Sequence, residues 1–215
     1  MTPTPPDDPI GYHHGQGVSH TDAYLLPPLL AELAGAGFAP REWWVFDLGC
    51  GAGSMAAALT RHGSRVTGVD SSADGVWLAN ETHFGLELRQ GSAYDDLAAV
   101  YGRFPAVVSL EVMEHVFFPR QYARCLAQLL ELGGVALIST PYHGYWKNLA
   151  LAATGKLDRH FTALRDYSHI KFWSIRTLTA LLEEAGLTVT HVRRIGRVPA
   201  LAKSMNVVAR RGGAA

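Results

Sequence analysis

Val45-Phe46-Asp47-Leu48-Gly49-Cys50-Gly51-Ala52-Gly53 decides the fold. An apolar run ends in an acid, three glycines alternate with small residues, and Ser54, Met55 and three alanines then open a helix. Glycine lets the backbone turn sharply and lets a ligand approach without meeting a Cβ. The order D-x-G-x-G-x-G is not the G-x-G-x-x-G of dinucleotide enzymes, and it lacks the Lys-Ser/Thr of a phosphate loop. It reads as a ligand-binding loop at the carboxyl end of a strand.

Val66-Thr67-Gly68-Val69-Asp70 reads as the next strand, and it too ends in an acid. An acid in that place accepts hydrogen bonds from ribose hydroxyls in doubly wound sheets. Together the two runs predict a site for an adenosine-containing cofactor. Two plainer roles stand beside this one: Asp70 caps the helix that begins near Ser72, and Asp47 braces the loop.

From Trp43 the chain alternates strand and helix. Strands are expected at 43–48, 65–70, 86–90, 105–111 and 134–140, and helices at 53–62, 72–82, 119–131 and 174–185. Leu187–Val192 and Asn206–Ala209 read as closing strands. The alternation predicts an α/β fold: a Rossmann-like, doubly wound, parallel sheet with helices on both faces. Residues 1–40 read as a flexible segment and a helix, since Met1–His20 is rich in Pro, Gly and His while Leu25, Leu26, Leu29, Leu30 and Leu33 recur at helical spacing. Residues 41–215 read as one domain carrying an insertion at 141–173.

Composition narrows the function. The chain has 215 residues, of which 48% are apolar, ample for a core. Its 19 basic and 19 acidic residues leave no net charge, which argues against a nucleic-acid substrate. Two cysteines, Cys50 and Cys125, make no disulfide framework and fit a reducing cytoplasm. No signal-peptide pattern and no apolar run of the ~20 residues that span a bilayer is expected.

On these residues the chain resembles the class I S-adenosylmethionine-dependent methyltransferases over roughly Trp43 to Arg210. The resemblance implies a seven-stranded sheet with its last strand antiparallel, and S-adenosylmethionine as cofactor. It assigns Asp47, Gly49, Cys50, Gly51 and Gly53 to the methionine end of the cofactor. Asp70, followed by Ser71, falls to the ribose, Ser92 and Ala93 lie beside the adenine, and Glu111 lies along the cofactor. Many members carry Asp where Ser92 stands. Leu132 replaces the proline usual before the Gly133-Gly134 turn.

Ser109-Leu110-Glu111-Val112-Met113-Glu114-His115-Val116 is the second informative run. E-x-x-E-H puts two carboxylates about one helical turn apart with an imidazole adjacent. Such a set can hold a divalent cation, Mg²⁺ or another, through Glu111, Glu114, His115 and the distant His169. It can equally serve acid–base chemistry, with His115, His143 or His169 taking a proton. The run resembles that of the ubiquinone-biosynthesis O-methyltransferases, which methylate hydroxyls. It also resembles a subgroup that methylates RNA ribose 2′-hydroxyls with a metal.

Pro141–Trp173 is too long for an ordinary connection. It carries Tyr142, Tyr145, Trp146, Phe161, Tyr167, Phe172 and Trp173 among histidines and basic residues. Its place after a central strand suits a lid over a small hydrophobic or aromatic acceptor. A helical insertion with its own small core is the plainer alternative. Weak peripheral membrane contact is a further expectation for 145–153, although Leu149 and Leu151 do not share a helical face. A catalytically silent cofactor-binding module is the remaining functional class.

Overall fold

The computed structural model describes residues 22–37, 43–161, 163–165 and 168–213. The loose segment expected at Met1–His20 lies outside the described residues, as does Tyr167. The elements in chain order are α1 (Asp22–Gly35), β1 (Trp44–Leu48), α2 (Ser54–Arg61), β2 (Arg65–Asp70), α3 (Ala73–Thr82), β3 (Leu88–Gln90), α4 (Leu97–Tyr101) and β4 (Phe104–Leu110). They continue with α5 (Pro119–Leu129), β5 (Leu130–Pro141), α6 (Tyr145–Ala153), α7 (Leu157–Phe161), α8 (Ile175–Glu184), β6 (Leu187–Ile195), a 3₁₀ turn (Pro199–Leu201) and β7 (Ser204–Arg211).

The seven strands lie in the order β3-β2-β1-β4-β5-β7-β6. All pairings are parallel except those of β7, which runs antiparallel to both β5 and β6. Successive side chains of a strand point to opposite faces, and here both faces are buried. Val45, Ala106, Val108, Val135, Leu137 and Val208 meet Leu25, Leu29 and Leu33 of α1 and Met55 and Leu59 of α2. Their neighbours Phe46, Leu48, Val107, Ala136, Ile138 and Val207 meet Tyr122 and Leu126 of α5 and Leu178 and Leu182 of α8. Two covered faces explain why the strands read as near-continuous apolar runs rather than alternating ones.

Helix α1 is thus part of the core. Each of its three buried leucines contributes about 1.5–3 kcal/mol by leaving water. Glu32 ties it to β6 through His191 Nε2 at 2.8 Å and Arg193 at 3.2 Å. Pro27 and Pro28 fall inside the helix. Lacking N–H groups, the two prolines cannot make the i→i−4 bonds that other helix residues donate.

Several elements differ from expectation: β5, β6 and β7 run longer than 134–140, 187–192 and 206–209, and α7 is additional. The helix expected over 119–131 ends at Leu129, because Leu130 pairs with Phe104 and begins β5. Arg211 caps that junction, its guanidinium donating to the carbonyls of Ala127 at 3.0 Å and Leu130 at 2.6 Å. Helix α4 was not expected. Its five residues are too few for a periodic signal, and Asp96 Oδ1 accepts the Ala99 amide at its start.

Candidate active site

The carboxyl ends of β3, β2, β1 and β4 form one row, and the predicted cofactor residues fall along it. After β1 the chain turns through Gly49, Gly51 and Gly53 with φ of 88°, 52° and 75°, all left-handed. At Gly49 a Cβ would also run into the Val112 side chain, and at Gly53 it would stand 2.9 Å from Ala79 Cβ. The amides of Gly49 and Cys50 donate to the Val69 carbonyl at 2.8 and 3.0 Å, stitching the loop to β2. Asp47 is buried behind it. Cys50 is buried too; burial first, then the charges of Asp47 and Asp70, push its thiol well above the usual range. It therefore stays a neutral, small filler.

Asp70 reaches across from β2. Oδ2 accepts the Gly51 amide and Oδ1 the Ser72 amide, both at 2.8 Å. The helix cap expected of Asp70 belongs to Ser72, whose hydroxyl accepts the Gly75 amide at 3.0 Å. Each carboxylate oxygen keeps a further lone pair for a ligand hydroxyl. Ser71 is exposed beside it.

Beyond β3, Ser92 spends its polar groups on its own turn. Its amide donates to Asp95 Oδ2 at 2.8 Å and its hydroxyl accepts the Tyr94 amide at 3.2 Å. Ala93 follows, partly buried. Tyr94 is a residue the sequence did not single out. Its hydroxyl accepts the amides of Phe117 and Phe118 at 2.8 and 3.2 Å, which fixes the turn after β4 against the adenine side of the row.

Glu111 has φ of 57°, the one non-glycine residue with positive φ among the described residues. A left-handed Glu costs about 1–3 kcal/mol and persists only where its surroundings hold it. Ser139 Oγ donates to Oε1 at 2.8 Å, and Ser204 Oγ to Oε2 at 3.4 Å. Burial raises its pKa, and those hydroxyls and the Lys147 charge oppose the rise.

Glu114, His115 and His169 converge, with one ligand atom from each all within 4.8 Å of one another. Glu111, the fourth metal candidate, stays out of this group because the serines of β5 and β7 hold its carboxylate. Glu114 is 1% exposed. Thr140 Oγ1 donates to its Oε2 at 3.0 Å, while Oε1 has no hydrogen bond among the described residues. That oxygen faces His169 Nε2 at 3.9 Å, too far for one. Burial, then the Glu111 charge, raises the Glu114 pKa well above the carboxylate range. Burial, then the His115 charge, holds His169 down at about 4. The His115 and His169 rings meet edge to face, centroids 5.0 Å apart.

The insertion brings His169 there by docking its second foot on the turn after β4 and tying its first foot to the second. The Glu114 carbonyl accepts the amides of Ile170 at 2.8 Å and Lys171 at 3.0 Å, and the Trp173 indole donates to the Met113 carbonyl at 3.0 Å. At the other foot, the His143 amide donates to the Trp173 carbonyl at 3.0 Å. The third proton-acceptor candidate, His143, is separate from His115 and His169. Its ring lies among His160, Phe161 and Phe172, with centroids 5.3, 6.1 and 5.0 Å away. Burial, then the Lys147 charge, lowers its pKa to about 4. Helix α6 buries none of its residues, and Tyr145 and Trp146 are 73% and 65% exposed.

A cavity of about 410 Å³ lies elsewhere, at the carboxyl ends of α5 and α8, lined by Arg124, Gln128, Ala185 and Arg211 among others. Arg211 is committed there to capping α5.

The chain matches a methyltransferase-domain family model over residues 18–192. It belongs to that family, and its seven-stranded sheet with β7 antiparallel is the one that the resemblance to class I S-adenosylmethionine-dependent methyltransferases implies. The ubiquinone biosynthesis O-methyltransferase of Caulobacter sp. (strain K31) is 38% identical over 116 residues, 52% of this chain and 45% of that protein. The enzyme of the same name from Dinoroseobacter shibae is 32% identical over 147 residues, 66% of this chain and 59% of that one. The chain spans about half the length of the curated relatives it matches. Among solved structures, magnesium protoporphyrin IX methyltransferase from Synechocystis PCC 6803 with bound SAH superposes with a TM-score of 0.65. It is 20% identical, with 94% of this chain and 91% of that one covered. A S-adenosylmethionine dependent methyltransferase from Mesorhizobium loti gives 0.62 at 20% identity, covering 84% and 96%. At these identities the solved structures establish the fold alone. No helix among the described residues is long and apolar enough to cross a membrane.

Proposed function

We propose that this protein transfers the methyl group of S-adenosylmethionine to a hydroxyl oxygen of a small aromatic or hydrophobic acceptor. The observation that carries the reading is the continuous row of glycine loop, Asp70, Ser92–Ala93 and Glu111, bordered by an aromatic insertion docked on the turn after β4. The names of the relatives favour oxygen as the acceptor atom.

S-adenosylmethionine supplies an activated methyl; the chain's own residues hold, orient and deprotonate. The left-handed glycines leave the loop open to the cofactor, and Asp70 has lone pairs left for ribose hydroxyls. Glu111 sets a carboxylate at the edge where β4 meets β5, where it would offset the positive charge of a bound cofactor. The insertion limits water around the acceptor, and a hydroxyl held in line with the methyl reacts without a separate activation step. As the new C–O bond forms and the C–S bond breaks, the hydroxyl proton leaves. His115 and His169 stand together to receive it, with His169 neutral at ordinary pH.

Glu114, His115 and His169 also fit a divalent cation. A buried carboxylate oxygen without a partner and a neutral imidazole are what such an ion takes, and the ion would lower the acceptor hydroxyl's pKa. Glu111 is left out of this set.

The test is transfer from methyl-labelled S-adenosylmethionine across phenols, catechols, quinols, fatty acids and RNA ends. Label in a methoxy product of a phenol or catechol is expected. Tight cofactor binding with no transfer to any acceptor would indicate a silent module.

A further inference from the structure

Lys147 stands where a lysine is poorly placed. It lies in the first turn of α6, at the positive end of the helix dipole. It is half-buried. Its ammonium donates to the Lys203 carbonyl at 3.3 Å, and no carboxylate lies within ion-pair distance among the described residues. Glu111, whose charge acts on Lys147, is held by Ser139 and Ser204.

More cations surround it. The connection between β6 and β7 packs its 3₁₀ turn on α6 and brings Arg197 and Lys203 to the same edge. The Arg197 charge, after burial, lowers the Lys147 pKa to about 8. Lys203 Nζ lies 5.4 Å from the centre of the Tyr24 ring, and the Arg194 guanidinium lies 5.8 Å from that of Tyr142. The Tyr24 hydroxyl meets Ser204 Oγ at 3.3 Å, one step from Glu111. The Lys147 charge is felt at Glu111, His143, His160 and His169. In the proposed reading this is the mouth of the acceptor site, and its cations make no ion pair among the described residues.

We infer that Lys147 and Arg197 receive a carboxylate carried by the methyl acceptor, so that the acceptor is an aromatic acid rather than a neutral phenol. The inference rests on the hydroxyl-methylation reading of the same site. A carboxylate there neutralises two cations that make no ion pair among the described residues, while the half-buried Tyr24 ring offers apolar contact to the rest of the molecule. The direction of approach follows. With the acid end anchored at the β6–β7 connection, the ring extends over Glu111 toward His115 and His169.

The test compares 3,4-dihydroxyphenylacetate with its neutral amide, which differ only in charge at the anchored end. In the wild type the acid should have a KM at least about tenfold lower than the amide. In Lys147→Gln and in Arg197→Gln that ratio should fall toward one, with folding checked by circular dichroism. Equal constants for acid and amide in the wild type would overturn the inference, as would an unchanged ratio in both variants. Calorimetry with S-adenosylhomocysteine guards the assignment: a cofactor affinity lost in step with the acid would mean the cations serve the cofactor's own carboxylate, and the inference fails. It fails too if Lys147→Gln leaves the ratio intact but abolishes sedimentation with phosphatidylglycerol vesicles, since the cluster then serves a lipid surface. If neither compound is methylated, binding of both to the S-adenosylhomocysteine-loaded protein separates the two readings. Acid-selective binding that depends on Lys147 upholds the anion site while hydroxyl methylation falls, and binding without acid selectivity rejects the site.

Discussion

Asp70 Oδ2 accepts the Gly51 amide at 2.8 Å, so the acid that ends the second strand holds the loop that follows the first. One side chain thereby shapes the loop and, in the proposed site, would face the ribose. Asp70→Ala removes both effects. The expected loss of S-adenosylhomocysteine affinity is ~1.5–3 kcal/mol, the range for hydrogen bonds to a charged group. Calorimetry measures it directly, and an affinity equal to wild type would remove Asp70 from the cofactor site.

Glu111 presents the opposite balance. Its left-handed backbone is strained, and two serine hydroxyls offset the strain. Glycine at this position relieves about 1–3 kcal/mol of strain and gives up hydrogen bonds of comparable total worth. Glu111→Gly should therefore keep its thermal midpoint near the wild type while losing most of its methyl transfer. A midpoint well below wild type would mean that the carboxylate holds the fold together rather than the chemistry.

Much of this architecture is written locally. Asp47–Gly53 and Val66–Asp70 carry their strand, loop and acid within a few residues of each other, so their placement at adjacent strand ends follows from the alternation alone. The contacts that build the rest of the site join residues far apart in the chain. Glu114 meets Ile170 and His169, and Glu111 meets Ser204, through pairings that no local pattern encodes. E-x-x-E-H marks three residues, Glu111, Glu114 and His115, as equivalent candidates, with the distant His169 as a fourth. The left-handed turn at Glu111 and the serines of β5 and β7 separate its carboxylate from that of Glu114, and the local sequence gives no hint of either. The cation cluster was equally hidden, since Lys147 and Arg197 lie on different elements.

His143 gives stability a pH dependence of known sign. Its folded-state pKa of about 4 lies below the ordinary 6.5, so between those values the unfolded chain binds more protons than the folded one. Its contribution is intact above about pH 6.5 and is lost as pH falls toward 4. His143→Phe, which keeps a ring among Phe161 and Phe172, should show a shallower fall in unfolding free energy over that window. Denaturant titrations at several pH values read the slope; an identical slope in the variant would place the acid sensitivity elsewhere.

The cation reading separates two glutamates that the sequence treats alike. Elemental analysis of protein dialysed against a divalent cation should find the ion in the wild type and in Glu111→Gln. It should be missing from Glu114→Gln and His169→Gln. Loss in Glu111→Gln to the same degree, or no ion in the wild type, would leave His115 and His169 as acid–base groups only.

The central claim is methyl transfer to oxygen, and the fate of an isotopically labelled methyl tests it most directly. The protein is incubated with labelled S-adenosylmethionine and a catechol acceptor, and the product is resolved by mass spectrometry and NMR. The account predicts a single labelled methoxy group on the ring and an equal amount of S-adenosylhomocysteine. Label on nitrogen or carbon of any acceptor, with hydroxyls left unmethylated, would contradict it.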